Sequence, residues 1–154
     1  MKAARKIGAV TLGMGLVVLG YAWGASPADH RRITAPDVPL RAGAPYSQAV
    51  MAGDLLFLSG NIGQGGDGKV PPAFLDEARQ ALENQGRILK AAGLGWEDAV
   101  KVNVYVEDMA RYDEFNALYV KTLPSPYPAR TFLAVADIPG GGQVEVEVVA
   151  VRRH

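Results

Sequence analysis

The amino-acid sequence predicts an α+β domain in which two helices lie on one face of a sheet. Three observations point there. Residues 73–95 and 109–122 repeat apolar side chains at helical spacing. Residues 99–108 and 143–151 alternate apolar with polar side chains, the period of a half-buried strand. Ala52-Gly53-Asp54 divides two short apolar runs, as a hairpin turn would. In chain order the elements read β-β-α-β-α-β-β, a mixed layer of the α+β class.

The opening segment stands apart from this domain. Lys2, Arg5 and Lys6 precede an apolar run from Ile7 to Ala25, closed by the small residues Ala22, Gly24 and Ala25. A basic start, an apolar stretch and a small-residue end are the marks of a secretory signal. Residues 1–25 are therefore expected to export the domain to the periplasm or beyond. The run is also close to the ~20 residues that span a bilayer, so the alternative is an uncleaved inner-membrane anchor over residues 7–25. Residues 26–45 read as a polar linker and N-terminal extension, and residues 46–154 as the folded domain.

Each element of the domain has its own signal. "SQAVMAGDLLFLSG" reads as two strands around the Gly53 turn, and "NIGQGGDGKVPP" as a glycine-rich connection. That loop lacks the Lys-Ser/Thr ending of a phosphate-binding loop and the spacing of a dinucleotide fingerprint. The first helix carries Leu75, Ala78, Leu82, Gln85, Leu89 and Ala92 on one stripe, Asp76 and Glu77 in its first turn, and Gly93 as its stop. The next strand sets Val100, Val102, Val104 and Val106 against Lys101, Asn103 and Tyr105. The second helix aligns Tyr112, Phe115, Asn116 and Tyr119. "RTFLAV" and "QVEVEVVAV" close the chain as strands. In the last of these Val144, Val146 and Val148 face away from Glu145 and Glu147, because strand side chains alternate. Helices cover one such face and leave the mixed face to water, for which self-association in closed rotational symmetry is the expected remedy.

Composition excludes several classes of function. The 154 residues, 49% hydrophobic, suffice for one domain with a modest core. Lys+Arg 16 balances Asp+Glu 16, which gives no electrostatic reason to expect a nucleic-acid partner. Cysteine is absent, so disulfides, thiolate metal sites and cysteine nucleophiles are excluded. His30 and His154 are too few and too near the ends to suggest a metal centre.

Five strings in order, "GAPYSQAV", "LFLSGNIG", "ALENQGRILKAAGLGWEDAVKVNVYVEDMARYDEFNALY", "YPARTFLAV" and "VEVEVVAVRR", resemble the RidA (YjgF) family over nearly everything from Ile33 to Arg153. The resemblance implies a chorismate-mutase-like fold, a homotrimer with a ligand cleft at each subunit interface, and no metal or organic cofactor. It also implies hydrolysis of 2-imino and enamine acids to 2-keto acids and ammonia. The alternative is a trimer that keeps the cleft for small-molecule binding or a chaperone-like role without chemistry. A nuclease activity ranks below both on charge.

The same resemblance assigns residues. Arg130 in "PARTF" corresponds to the family's cleft arginine; read alone it is a surface residue at a strand end. A guanidinium grips a carboxylate through two parallel hydrogen bonds, and carboxylate is the permanent handle of an imino acid. Glu145 matches the glutamate expected to direct water to the imine carbon, as a general base. Alternation alone does not choose between Glu145 and Glu147; the motif register selects Glu145. Tyr46 and Ser59 match cleft residues, and read alone are a packing aromatic and a turn residue. Asn116 either braces the Arg130 segment or caps neighbouring backbone. Phe132 departs from the family, which often has cysteine there, and the segment from Asn116 to Arg130 is short and carries Pro124, Pro126 and Pro128. Both departures bear on cleft shape.

Overall fold

The structure is a computed structural model and describes residues 30–40 and 42–153. Six strands, β1 (His30–Ile33), β2 (Ala49–Ala52), β3 (Leu55–Ile62), β4 (Ala99–Val106), β5 (Ala129–Ala134) and β6 (Val144–Val151), form one sheet in the order β1-β2-β3-β6-β4-β5. Helices α1 (Phe74–Ala91) and α2 (Tyr112–Thr122) pack on one of its faces, as the sequence predicts. All neighbouring strands run antiparallel except β4 and β5, which α2 joins as a parallel pair.

Local chemistry explains several element ends. Gly53 adopts φ +60° at the first position of the two-residue turn between β2 and β3, the position a II′ hairpin reserves for glycine. α1 stops at Gly93, with φ +77°, whose N–H donates to the Lys90 carbonyl. A 3₁₀ turn at Met109–Arg111 leads into α2, and the Asp108 side chain accepts from the Ala110 N–H.

Two local differences from the sequence reading have physical causes. The stretch taken as linker contributes β1, which pairs with β2 from His30↔Ala52 to Ile33↔Ala49 and buries Ile33 and Ala35. Its three exposed residues, His30, Arg31 and Arg32, are an edge-strand composition that hides the strand from a period search. Val100 leaves the valine stripe of β4 and is exposed, because the ladder with β6 slips by one residue between Ala99 and Lys101.

The sheet separates two environments. Val102, Val104 and Val106 of β4, Val144, Val146 and Val148 of β6 and Leu56 of β3 pack under α1 and α2, against Leu82, Ile88, Leu89 and Phe115. Truncating one of these fully buried leucines to alanine costs about 2–5 kcal/mol. Among the described residues no helix lies on the opposite face. It shows Leu55, Phe57 and Leu133 beside Lys101, Asn103, Tyr105, Glu145 and Glu147.

Candidate active site

β3 does not run straight past β6. Its register shifts between Leu58 and Asn61, so that Ser59-Gly60 forms a bulge opposite the segment that carries Glu145. A Cβ on Gly60 would lie 1.7 Å from Glu145 Oε1, so the carboxyl occupies space that only glycine leaves open. Gln85 of α1 bridges the break: its side-chain amide donates to the carbonyls of Ser59 and Val146. Glu77, fully buried on the same helix, accepts from the backbone N–H groups of Gln143 and Val144, just before Glu145. α1 thereby fixes both the bulge and the start of β6.

Over this point opens a cleft of about 940 Å³. Tyr46, Ser59 and Glu145 line it together with Gly60, Asn84 and Gly140. Tyr46 is 55% exposed at the rim, so it is not a packing aromatic. Ser59 does more than turn the chain, since its hydroxyl donates to the Ser47 carbonyl and ties the loop after Pro45 to the bulge. Burial raises the pKa of Glu145 above the ordinary carboxylate value, and the charge of Glu147 adds to the rise. Glu147 itself accepts from Asn103 Nδ2 at 3.0 Å and from the Tyr105 hydroxyl at 3.1 Å, so its carboxylate is committed to the sheet.

Arg130 is elsewhere. It pairs with Val102 and shares its face of the sheet, where its guanidinium carbon lies 4.9 Å from the Tyr119 ring centroid and 5.6 Å from those of Tyr112 and Phe132. Such contacts hold a cation over aromatic faces. Arg130 Nη2 donates to the Tyr112 hydroxyl at 3.4 Å. Phe132 meets Tyr112 and Phe115 edge to face, at 5.0 and 5.5 Å between centroids. Asn116 lies on the same helix, half-buried, and its amide makes no hydrogen bond to the Arg130 segment.

The expected residues therefore fall into two clusters. Tyr46, Ser59 and Glu145 form one, on the side without helices; Arg130 and Phe132, with Asn116 nearby, form the other. Glu145 lies two strands from Arg130, because β4 lies between β6 and β5, and the two side chains point to opposite faces. Strand spacing and rise put their backbones about 14 Å apart. Gly60, Glu77, Gln85 and Tyr112 had no place in the sequence reading of the site. A glycine inside a strand run was the one signal that could have found Gly60.

The protein-family model described as Endoribonuclease L-PSP, the RidA/YjgF family, matches residues 37–152. The chain belongs to this family. It is 40% identical over 125 residues to a Capra hircus protein named 2-iminobutanoate/2-iminopropanoate deaminase, an alignment covering 80% of this chain and 90% of that protein. It is 38% identical over 114 residues, 72% of this chain and 90% of the other, to Protein mmf2, mitochondrial, of Schizosaccharomyces pombe. Among solved structures, RidA from the Antarctic bacterium Psychrobacter sp. superposes with a TM-score of 0.76 at 35% identity, covering 79% of this chain and 99% of that one.

These relatives correct the expected location. They include proteins named as mitochondrial and, in Arabidopsis thaliana, chloroplastic, and not the periplasmic type the leader suggested. The composition of a basic, apolar start does not by itself fix a compartment. Among the described residues no helix is long and apolar enough to cross a membrane. Residues 1–29, which carried the signal and anchor readings, lie outside the described residues.

Proposed function

We propose that this RidA-family chain hydrolyses 2-imino and enamine acids to 2-keto acids and ammonia, in sites built between the copies of a homotrimer. The observation that carries the reading is Glu145: a carboxyl seated on a glycine bulge in an open cleft, with its pKa raised by burial. A carboxylate shifted toward neutrality both takes and returns a proton readily. Water adds to the imine carbon as Glu145 accepts one of its protons. Glu145 returns that proton to nitrogen, then takes the hydroxyl proton of the resulting carbinolamine and delivers it to nitrogen as the C–N bond breaks, so the oxygen becomes the keto group and ammonia leaves. Arg130, which makes no ion pair with a carboxylate among the described residues, supplies the grip for the substrate carboxylate.

One copy cannot bring Arg130 to Glu145, since they lie on opposite faces of the same sheet. Arg130 of one copy therefore meets Glu145 of the next, around a closed ring that also covers Phe57 and Leu133. Heterologous contacts close into a ring when the rotation between successive copies completes a full turn, as three copies related by a three-fold axis do.

The test is complementation. Arg130→Ala and Glu145→Gln should each abolish ammonia release from imines generated in situ by an amino-acid oxidase. Unfolded and refolded together in equal amounts, they should recover about a quarter of wild-type activity, because that share of heterologous interfaces pairs an intact Arg130 with an intact Glu145. No recovery in mixed assemblies would place the whole site within one copy and refute the arrangement. A wild-type protein that binds keto acids but releases no ammonia would support the non-catalytic reading instead.

A further inference from the structure

Tyr112 opens α2 beside Arg130 and is 41% exposed. Its ring meets Phe132 edge-on, at 85°. That contact needs only the ring, and a phenylalanine would make it equally well. The hydroxyl is the feature that packing leaves unexplained. It accepts a long hydrogen bond from Arg130 Nη2, and its own proton reaches no acceptor among the described residues. Arg130 in turn makes no ion pair with a carboxylate among them. A cation without an anion thus stands next to a hydroxyl with an unspent proton, on a solvent-facing rim. Tyr119 and Phe132 fix the guanidinium from behind.

Two donors that converge without an acceptor between them define where an acceptor belongs. We infer that Tyr112 is a substrate-binding residue whose hydroxyl joins the Arg130 guanidinium in clamping one carboxylate, with the Phe132 ring as the wall behind it. The ligand class is a small monocarboxylate, the 2-imino acid and the 2-keto acid made from it. The inference rests on the reading that Arg130 takes the substrate carboxylate. A neutral O–H donor completes the coordination of the carboxylate without adding charge. It favours a single planar anion over a second anionic group, which would find no further cation in this cluster.

Tyr112→Phe isolates the hydroxyl, because the ring and its contact with Phe132 remain. The probe is 2-oxobutanoate, titrated calorimetrically into the assembled wild type, Tyr112→Phe and Arg130→Ala, with 2-oxobutanamide as its uncharged twin. Tyr112→Phe should weaken 2-oxobutanoate binding about tenfold, the low end for a hydrogen bond to a charged group at a partly exposed site. It should leave the carboxamide and the melting temperature unchanged, and in imine hydrolysis raise KM with kcat kept. Unaltered 2-oxobutanoate binding in Tyr112→Phe, with binding lost in Arg130→Ala, overturns the clamp and leaves the Arg130 reading standing. Wild-type binding in both variants, or none in the wild type, overturns the two together.

Discussion

Gly60→Ala adds one methyl group beneath the proposed base. The new Cβ would lie 1.7 Å from Glu145 Oε1, 2.6 Å from Cδ and 3.0 Å from Cγ. Ordinary contact for a Cβ begins near 3.4 Å, so the carboxyl has to retreat by roughly 1.7 Å, and a misplacement of about 1 Å can cost on the order of 10²-fold in rate. Gly60 is not among the glycines with positive φ, so alanine brings no backbone strain. The obstructed group is the far end of a flexible side chain, which leaves the fold intact. Turnover of in situ imines should therefore fall about 10²-fold while far-UV circular dichroism, melting temperature and assembly stay close to wild type. The displaced carboxyl also becomes better solvated, so whatever activity remains should show its acid limb nearer the ordinary carboxylate range. Adding Glu145→Gln to Gly60→Ala should lower activity no further than Glu145→Gln alone. Wild-type turnover in a folded Gly60→Ala protein would refute the argument, because the seat of Glu145 would then have no bearing on the chemistry.

Three other outcomes are expected. Activity that needs ionised Glu145 falls as pH drops through its raised pKa; Glu147→Gln removes the neighbouring like charge and should move that limb to lower pH, though burial keeps it above the ordinary carboxylate value. An unmoved limb would show that the two carboxylates do not interact. The Tyr119 hydroxyl is buried without a hydrogen-bond partner among the described residues, so Tyr119→Phe should stabilise the protein by about 1 kcal/mol in urea unfolding at pH 7. Burial first, against the lowering effect of Arg130, pushes the Tyr119 pKa up to about 12 from 10.0, so the native state keeps a proton that the unfolded chain loses between those values. The wild type should accordingly lose stability from pH 10 towards 12 more steeply than Tyr119→Phe; equal slopes would disprove it. Arg130→Lys should recover little of the substrate affinity lost in Arg130→Ala, since an ammonium has no planar fork, and full recovery would show that charge alone suffices.

The fold was legible because its signals are periodic. Leu82, Leu89, Val102, Val104, Val106, Val144, Val146 and Val148 declare their faces by spacing alone, and their burial follows it. β1 escaped because three of its four residues are exposed, leaving Ile33 as the single apolar mark. The site was legible in residue type and not in arrangement. Arg130 and Glu145 were identifiable as chemistry, but alternation gives the face of a side chain only relative to its own strand. Whether two strands turn the same parity towards the helices depends on register, which the ladders of β4 with β5 and β6 set. Glu77 hid for a different reason. An acidic residue in a first helical turn reads as a surface charge favoured by the helix dipole. Its burial depends on backbone N–H groups 66 residues away in sequence that only the fold delivers.

The sheet order has a temporal meaning as well as a spatial one. β1, β2 and β3 form one ribbon and β4 and β5 another, and among the described residues β6 is the strand that joins them. The residues before Val144 supply two separate sets of strands, and each has an edge that pairs with β6 in the finished sheet. Cooperative closure must wait for the final described strand, with long loops already formed, which favours slow folding and an aggregation-exposed interval. The same strand carries Glu145, so the proposed chemistry and the completed fold arrive in a single step.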